Sequence, residues 1–474
     1  MSSIVVVGGG VCGLASAVML ARDRHDVVVL EADASRVPES PDEAWESWER
    51  DGVTQFRMAH FLHSGGRAVL DSELPDVAAA LSAAGAARFD LLDCMPAMVA
   101  DRTRREGDER FVTLTARRPV LEQVLARSAQ LQPRLEVRRG VTVTGLTSKL
   151  YDGTPHVTGV RLESGGQIGA DLVVDAMGRR SRLSQWLLEA GARPVPEQSE
   201  DSGFIYYQRM FRSSDQSLPT PVAPINSPLG TISLLTLPAD NGTWAVVIAT
   251  ASGDQPLKRL RDADRWTAVV SACPLHAHWL DGEPITPVAA MGGVLDRCRR
   301  LALDGQPVAT GIAPIADAWA CTNPSLGRGI TVGLRHAQRL RDVVREHLDD
   351  PNVLARAWDE ITETEFKPLY DDVIGEDRSR LRQVEALRHG LDGPSPNSQV
   401  LRFMATMPHD PDVFRAYLET RSCLATMREV LARPALAQRI DEQAIAGTTP
   451  LPGPDRKQLL QLLSETRLQV HQLL

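Results

Sequence analysis

Three glycines near the N-terminus have the spacing that a dinucleotide-binding turn requires. Gly8, Gly10 and Gly13 form G-x-G-x-x-G between an apolar run and an Ala- and Leu-rich stretch. The first glycine allows a tight turn, the second lets the backbone approach a pyrophosphate, and the third lets a helix pack closely on a strand. We therefore predict a pyrophosphate site at the start of this helix, to which Val11 and Cys12 also belong.

A carboxylate follows the second apolar run, Val27 to Leu30. Glu31, with Ala32 beside it, stands at the end of that predicted strand, where it can accept hydrogen bonds from ribose hydroxyls. An acid in place of an arginine disfavours a 2′-phosphate, so the predicted ligand is FAD or NAD rather than NADP. The alternative is a glycine-rich turn without a ligand. It is disfavoured because strand, loop, helix, strand and acid occur in the expected order.

A second loop, far along the chain, has residues suited to a flat ring. Asp317 is followed by Pro324, and then Gly327 and Gly329 open a predicted helix at Ile330. The glycines let the backbone approach a ring, and the positive end of the helix would stabilise negative charge on a reduced flavin. Taken alone, this segment fits a structural turn before a helix equally well. Beside the N-terminal glycines, the ligand interpretation is favoured.

Two further segments place arginines beside these elements. Arg118 precedes Pro119, which is favoured in the first turn of a helix, and a buried arginine there could pair with a phosphate or a flavin carbonyl. Residues 171–175 are typical of a buried strand, and the chain turns sharply at Gly178 before Arg179.

Composition and charge exclude several classes of protein. The 474 residues carry a net charge of −9 without a long basic cluster, which argues against nucleic acid as a partner. The six cysteines are scattered without a C-x-x-C pair, so neither a zinc site nor a disulfide framework is indicated. No apolar run reaches the roughly 18 residues of a membrane span, and the N-terminus lacks the basic region of a signal peptide. We expect a cytoplasmic protein without a metal.

Apolar periodicity predicts an α/β fold with a sheet-rich middle and a helical end. Asp240-Asn241-Gly242 is a hairpin signal between two strands of the middle part, and everything after Asp350 is predicted helical, with proline breaks near 394 and 450. The predicted strands are 4–7, 27–30, 135–148, 156–163, 171–175, 204–211, 231–237, 243–250 and 307–310. The predicted helices before Asp350 are 61–87, 117–130 and 330–347.

Together these segments resemble the flavoprotein monooxygenases of the para-hydroxybenzoate hydroxylase fold, over roughly residues 1–345. Gln55-x-Arg57-x-x-His60 and Asp175-Ala176-Met177-Gly178-Arg179 are most similar to bacterial epoxidases of polyether pathways, and more distantly to squalene epoxidase. The resemblance implies that Asp317 holds the ribityl chain and that the loop after it covers the isoalloxazine. The residues expected to bind FAD are Gly8, Gly10, Val11, Cys12, Gly13, Glu31, Ala32, Arg57, Arg118, Val143, Asp317, Pro324, Gly327, Gly329 and Ile330.

The resemblance also implies a domain organisation. A Rossmann-like FAD-binding domain of the glutathione reductase type would comprise 1–78, 113–182 and 299–345. A β-sheet substrate domain would be inserted as 79–112 and 183–298. Residues 346–474 would form a helical C-terminal region. The sequence departs from the family where Ala316 replaces the usual glycine before the ribityl-binding Asp317.

The implied activity is the insertion of one oxygen atom from O2 into an apolar small molecule through a flavin C4a-hydroperoxide, by epoxidation or hydroxylation in secondary metabolism. No His or Cys is placed for a flavin linkage, so FAD is expected to be non-covalent. Asp175-Ala176 replaces the Asp-Gly of the aromatic hydroxylases, which favours a separate flavin reductase over direct reduction by NADH or NADPH. His60 and Arg57 are the candidate catalytic residues, although His60 fits a structural role equally well.

Four alternatives remain at this point. An aromatic hydroxylase using NAD(P)H directly is the strongest, and a reductase of prenyl chains shares the fold. A flavin halogenase would be expected to show Trp-x-Trp-x-Ile-Pro, which is absent from the sequence. A flavin-binding regulator without activity is disfavoured by the intact loop around Asp317.

Overall fold

The computed structural model describes residues 2–391, 399–442 and 451–464. The proline breaks predicted near 394 and 450 lie outside these residues. The strands are β1 (Ser3–Val7), β2 (Asp26–Glu31), β3 (Ala87–Asp90), β4 (Val112–Thr115), β5 (Leu135–Arg139), β6 (Val143–Tyr151), β7 (Thr154–Leu162), β8 (Gln167–Gly169), β9 (Leu172–Asp175), β10 (Glu197–Asp201), β11 (Phe204–Arg212), β12 (Asn226–Leu229), β13 (Ile232–Pro238), β14 (Thr243–Ala251), β15 (Glu283–Pro284), β16 (Ala289–Gly292), β17 (Leu295–Arg299), β18 (Ala302–Leu303), β19 (Gln306–Pro307), β20 (Ile312–Pro314) and β21 (Ala320–Cys321).

The helices surround these strands and continue beyond them. They are α1 (Val11–Arg22), α2 (Pro41–Glu46), α3 (Ser64–Glu73), α4 (Pro75–Ala83), α5 (Arg118–Leu131), α6 (Leu183–Glu189), α7 (Ala263–Ser271), α8 (Gly329–His347), α9 (Pro351–Ile361), α10 (Lys367–Arg388), α11 (Gln399–Thr406), α12 (Pro411–Arg421), α13 (Met427–Leu431), α14 (Pro434–Glu442) and α15 (Arg456–Ser464). Among the described residues, no helix is long and apolar enough to cross a membrane.

A five-stranded parallel sheet, in the order β20-β9-β1-β2-β5, positions the N-terminal glycines. Its three inner strands, β1, β2 and β9, are short and rich in Val, Ile and Leu because both faces are covered there. On one face, α1, α5 and α8 pack in a core that includes Ile4, Val6 and Leu334. On the other face, Val5 and Val7 contact β7 and α6. The carboxyl ends of β1 and β2 therefore open toward the starts of α1 and α8.

A second, antiparallel sheet in the order β12-β13-β14-β11-β15 forms the middle of the chain, with β16 also pairing with β11. Alternate residues of its strands enter different cores, as the pleat requires. Tyr206 and Val247 face the C-terminal helix α12, whereas Tyr207 and Val246 face α7 and α15. Helices from the end of the chain thus lie on both faces of this sheet.

The predicted hairpin in the second sheet is confirmed. Asn241 and Gly242 connect β13 to β14 with φ angles of 51° and 61°, the left-handed values of the turn that matches strand twist. Asp240, before them, accepts bonds from the Arg117 backbone N–H at 2.7 Å and from the Arg117 guanidinium Nε at 3.0 Å. This buried ion pair joins the second sheet to the start of α5.

The prediction of a strand at residues 307–310 is wrong. Only Gln306–Pro307 forms a two-residue strand there, and the fifth strand of the parallel sheet is Ile312–Pro314. The Thr310 backbone instead forms hydrogen bonds with Pro155 and Val157 at the start of β7. Gly311 then turns the chain with a φ of 71°, at a place where a Cβ would overlap the Val157 carbonyl oxygen. Residues 308–310 have the pattern of a strand because all three are buried as the chain approaches the parallel sheet.

Candidate functional site

A cavity of about 550 Å³ lies between the parallel sheet, the second sheet and the C-terminal helices. Its volume is in the range of small-molecule sites. It begins at the glycine turn after β1 and extends past the start of α8 to α12. The predicted FAD-binding residues that line it are Gly8, Gly10, Val11, Cys12, Gly13, Glu31, Ala32, Arg118, Val143, Asp317, Pro324, Gly327, Gly329 and Ile330.

The three glycines occupy positions with different spatial requirements. Gly8 has a φ of 108°, and a Cβ there would lie 2.5 Å from the Ala176 carbonyl oxygen. A Cβ on Gly13 would overlap the Gly8 carbonyl oxygen, whereas a Cβ on Gly10 would meet nothing within 4 Å. Gly8 and Gly13 therefore let the turn and helix pack, and Gly10 keeps the cavity open for a ligand.

Two helices point their N-termini at the cavity. Helix α1 has no side-chain cap at Gly10, and its first helical bond runs from Leu14 N–H to the Gly10 carbonyl. The N–H groups of Val11 and Cys12 precede that bond, at the positive end of the helix dipole. Helix α8 likewise starts without a side-chain cap, at Gly329. Both ends suit a ligand with anionic groups.

Glu31 is part of a buried charge network. Its Oε2 accepts from Gly9 N–H at 2.7 Å and from Arg50 Nη2 at 2.7 Å, and its Oε1 accepts from Asp33 N–H at 2.9 Å. Arg50 also pairs with Glu122 at 2.8 Å. A carboxylate has about four acceptor positions, so Glu31 retains one for a ligand hydroxyl. Arg50 was missed because it follows α2 in a segment without any recognisable motif.

His60 is neutral and bonded on both ring nitrogens. Its Nδ1 lies 2.8 Å from the Met58 carbonyl, which can only accept, so Nδ1 carries the proton. Its Nε2 then accepts from Arg118 Nη1 at 3.2 Å, and Arg118 Nε donates to Glu122 at 2.7 Å. Burial, followed by the charge of Arg118, lowers the pKa of His60 to about 3. These bonds orient Arg118 toward the cavity, and they favour the structural role of His60.

Arg57 does not line the cavity. Its guanidinium donates to the Trp45 carbonyl and, at 3.0 Å, to the Trp48 carbonyl, and it stacks 5.3 Å from the centre of the Trp45 ring. The prediction that Arg57 contacts FAD or reacting atoms therefore finds no support in this geometry. The side chain secures the segment 45–57 instead.

The second glycine loop is tied to the segment that follows His60. Gly327 has a φ of 65°, and a Cβ there would lie 3.4 Å from His63 Nε2. His63 Nε2–H donates to the Leu326 carbonyl at 2.8 Å, and His63 N–H donates to Thr331 Oγ1 at 3.1 Å. Burial lowers the pKa of His63 to about 3, so the ring is neutral. His63, which the sequence analysis missed, holds the loop against the cavity.

Asp317 follows a residue in an unfavourable conformation. Ala316 has a φ of 49°, which explains why a glycine is usual at this place, and its N–H donates to His336 Nδ1 at 3.0 Å. Burial raises the pKa of Asp317, while the charges of Arg179, Arg118 and Arg297 oppose that shift. The carboxyl group borders the cavity between the two glycine loops.

Beyond the second loop the cavity becomes apolar. Residues of the second sheet and of α12 form its walls, namely Ile225, Leu235, Leu237, Met291, Phe414 and Leu418. The sequence analysis assigned no role to α12, because nothing in its local pattern relates it to glycines about 400 residues earlier.

A buried polar network lies behind this end of the cavity. Asn323 accepts from Tyr206 Oη at 2.8 Å, donates from Nδ2 to Asp377 at 2.8 Å, and donates from its backbone to Asp296. Burial raises the pKa of Asp377 to about 7 and that of Asp296 to about 6. The network joins the loop after Asp317 to α10 and β11.

The arrangement fits FAD on observations of this structure. The open space at Gly10 and the helix N-terminus beside it suit a pyrophosphate, and the remaining acceptor position of Glu31 suits a ribose hydroxyl. The loop at Gly327 and the start of α8 leave room for a ring that becomes negatively charged on reduction. A dinucleotide extended between the two loops would contact each of these features.

Comparison with known proteins agrees with this geometry. Residues 1–199 match the FAD binding domain family. Protein Rv3254 of Mycobacterium tuberculosis is 29% identical over an alignment of 357 residues, and the match covers 72% of each chain. The solved structure of PqsL, a probable FAD-dependent monooxygenase from Pseudomonas aeruginosa, has a TM-score of 0.58 at 16% identity and covers 81% of this chain and 96% of PqsL.

A flavin-dependent brominase, Bmp2, is similar to the same extent. Its TM-score is 0.60 at 16% identity, covering 93% of this chain and 98% of Bmp2. At such identities the solved structures establish the fold alone. The predicted fold class is confirmed, with an FAD-binding domain, several sheets and a helical C-terminal region. The family match and this fold also confirm the prediction of an FAD-dependent oxidoreductase.

Proposed function

We propose that the chain is an FAD-dependent monooxygenase that inserts one oxygen atom of O2 into an apolar small molecule, by epoxidation or hydroxylation. The observation that carries the proposal is the continuity of one cavity, polar at the glycine turn and apolar between the second sheet and α12. Such a cavity brings an apolar substrate to the ring end of a bound flavin. PqsL, a probable FAD-dependent monooxygenase, has the same fold, which is compatible with this reaction.

The protein's own residues bind and orient the cofactor, and they exclude water from the site. Glu31 and the first turn of α1 hold the adenosine and pyrophosphate end, while Asp317 and Arg118 hold the middle of the cofactor. The loop from Pro324 to Gly329 covers the ring. Bound FAD supplies the redox chemistry with O2. The apolar walls keep water from the reacting atoms, which prevents side reactions.

His60 has no proton to donate at Nε2, because the ring is neutral and Nδ1–H is bonded to the Met58 carbonyl. We therefore assign it the positioning of Arg118. We also retain as proposals the division into an FAD-binding domain (1–78, 113–182, 299–345), a substrate domain (79–112, 183–298) and a C-terminal region (346–474). The sheet order and the cover that α12 gives to the second sheet support that division.

We propose that reducing equivalents come from NADH or NADPH through a separate flavin reductase. Ala176 packs against the glycine turn through its backbone and its methyl group. A Cβ on Gly8 would lie 2.5 Å from the Ala176 carbonyl oxygen, and a Cβ on Gly13 would lie 3.1 Å from the Ala176 methyl. The methyl group that distinguishes this chain from the aromatic hydroxylases thus occupies space beside the cofactor turn. We place the enzyme in the cytoplasm and in secondary metabolism, and its six free cysteines suit a reducing compartment.

An isotope experiment tests the proposed reaction. FAD-loaded protein is reduced with NADH or NADPH, with and without an added flavin reductase, and is then mixed with 18O2 and matched panels of apolar alkenes and phenols. Mass spectrometry of the products should show one 18O atom per molecule, and the reductase should accelerate turnover. An epoxide or a phenol product distinguishes the two reaction types.

The Gly327→Val variant is the matched control, because a side chain there strains the left-handed loop and crowds His63, which holds that loop against the cavity. It should reduce O2 to hydrogen peroxide without labelling a product, or lose FAD. Products whose oxygen comes from water, or a halogenated product that requires added bromide, would contradict the proposal. Turnover with NADPH alone at the full rate would assign direct reduction instead.

A further inference from the structure

Helix α12 presents one face to the apolar end of the cavity. Phe414, Tyr417, Leu418 and Arg421 all line it, and their spacing is the i, i+3, i+4, i+7 pattern of a single helical face. Three of these side chains are apolar or aromatic. The fourth, at the last turn of the helix, carries a charge.

Arg421 is the one charged side chain among the lining residues contributed by the second sheet and α12 in the described chain. Its side chain is 11% exposed, stacks 4.7 Å from the centre of the Tyr417 ring and pairs through Nη1 with Glu376 at 2.8 Å. Its Nε and Nη1 are both buried without a hydrogen-bond partner, because Nη1 meets Glu376 as an ion pair without hydrogen-bond geometry. A buried donor of this kind is costly unless a ligand accepts its hydrogen bond.

The charges around Arg421 nearly cancel. Glu376 balances its guanidinium directly, and Arg328 and Asp372 add one further basic and one further acidic group nearby. His63, another ionisable group close to it, is neutral. A carboxylate placed here would add an unbalanced negative charge beside Glu376. A neutral acceptor oxygen would satisfy the free N–H without that cost.

We propose that Arg421 determines specificity by donating a hydrogen bond to a neutral carbonyl-type oxygen on an otherwise apolar substrate. The occupant of the apolar end is then a small molecule with a ketone, ester or amide oxygen, held by the C-terminal helical region. This inference deepens the proposed function, on which it rests for the identity of the cavity as a substrate site. The inference concerns ligand binding alone, so its test requires no catalytic turnover.

Binding to the FAD-loaded protein, without reductant, tests the proposal. Changes in the flavin absorption spectrum report the affinities of 2-ethylnaphthalene, 2-acetonaphthone and 2-naphthoate. The affinity ratio of ketone to hydrocarbon should fall about 10-fold or more in Arg421→Met, as expected for a hydrogen bond from a charged donor. Hydrocarbon affinity should change less than about 3-fold. Arg428→Met, an exposed arginine on α13, should leave both affinities unchanged.

A second variant guards against misfolding and tests the charge argument. Arg421→Met combined with Glu376→Gln removes both charges together, so no buried acid is left unpaired, and it should show the same loss of ketone preference. Glu376→Gln alone should strengthen the binding of 2-naphthoate about 10-fold, because the positive charge is then unbalanced.

The proposal is overturned if the ketone preference survives in both Arg421 variants, if wild type does not bind the ketone saturably, or if Arg421→Met weakens FAD binding itself. The last result would make Arg421 a cofactor contact. Because binding is measured without O2 or reductant, loss of oxygen insertion with intact ketone binding would contradict the proposed function and leave this inference standing.

Discussion

The two ends of the cavity are built in opposite ways. At the end that we propose binds FAD (the FAD end), the turn after β1, the start of α1 and Glu31 come from thirty consecutive residues, and their contacts are mostly polar. At the end that we propose binds substrate (the substrate end), the walls come from the second sheet and from α12, which are separated by more than a hundred residues, and they are mostly apolar. One end is specified by a local motif, and the other only by how the whole chain packs.

The largest expected contrast lies within the glycine motif. Gly13→Ala should destabilise the protein so strongly that little folded protein is recovered, because its Cβ overlaps the Gly8 carbonyl and neither backbone can move freely. Gly10→Ala should fold normally, since its Cβ meets nothing, but should weaken FAD binding by filling the approach of the pyrophosphate. Thermal unfolding of the apoproteins and FAD titration measure both effects. Equal stability of the two variants would contradict the assignment.

At the substrate end, Phe414→Ala should lower the free energy of unfolding by about 3–5 kcal/mol, because it removes a fully buried aromatic ring. FAD affinity should stay within about 3-fold of wild type. Phe403→Ala in α11 removes an equally buried ring outside the cavity and is the control. Urea unfolding measures the change in stability, and FAD titration measures the change in affinity. If Phe414→Ala abolished FAD binding while Phe403→Ala did not, the two ends would not be separate.

Glu31→Gln sharpens the comparison at the FAD end. It should weaken FAD binding by about 1.5–3 kcal/mol, because a neutral amide replaces a charged acceptor of the ribose. Asp33→Asn is the matched control, since it also removes a carboxylate from Arg50 but does not line the cavity. Fluorescence titration with FAD should separate the two variants. Equal losses would show that Arg50, rather than a ligand bond, accounts for the effect.

The smallest expected effect concerns the acid behind the substrate end. Burial raises the pKa of Asp377 to about 7, above its value in the unfolded chain. The folded state therefore holds the proton more strongly. The stability gained from this group is present at low pH and lost as the pH rises through about 7.

Asp377→Asn keeps an oxygen that can accept from Asn323 but cannot ionise. As the pH rises from 5 to 8, the free energy of unfolding of this variant should increase relative to that of wild type by about 1 kcal/mol or more. Asp296 titrates nearby in both proteins, so only the difference between them is informative. Urea unfolding across this pH range measures it. A constant difference would show that Asp377 is ionised throughout.

The sequence predicts the glycine turn and the start of α1 because the signals for them are short-range. The spacing of Gly8, Gly10 and Gly13 specifies this turn, although the space at Gly8 is also bounded by Ala176, far along the chain. The strand misplaced at 307–310 shows the limit of this reasoning, because buried apolar residues have the same pattern whether or not they join a sheet. Arg57 illustrates another limit, since a sequence does not reveal that its guanidinium bonds to the carbonyls of Trp45 and Trp48.

The substrate end was out of reach for a different reason. Arg421 is meaningful only because α12 packs against the second sheet and because Glu376 on α10 meets it there. Hydrophobic packing is non-directional, so the local pattern of α12 indicates a buried face but not what that face covers. His63 was missed similarly, since its bond to Leu326 connects residues more than 250 positions apart.

A crystal structure of the yellow, FAD-loaded protein tests the central claim most directly. The account predicts non-covalent FAD with its pyrophosphate against Gly10 and the start of α1, its ring beside Gly327 and the start of α8, and open apolar space between that ring and Phe414. A flavin bound elsewhere, a ring that fills the space beside α12, or a covalent bond to a His or Cys would contradict it.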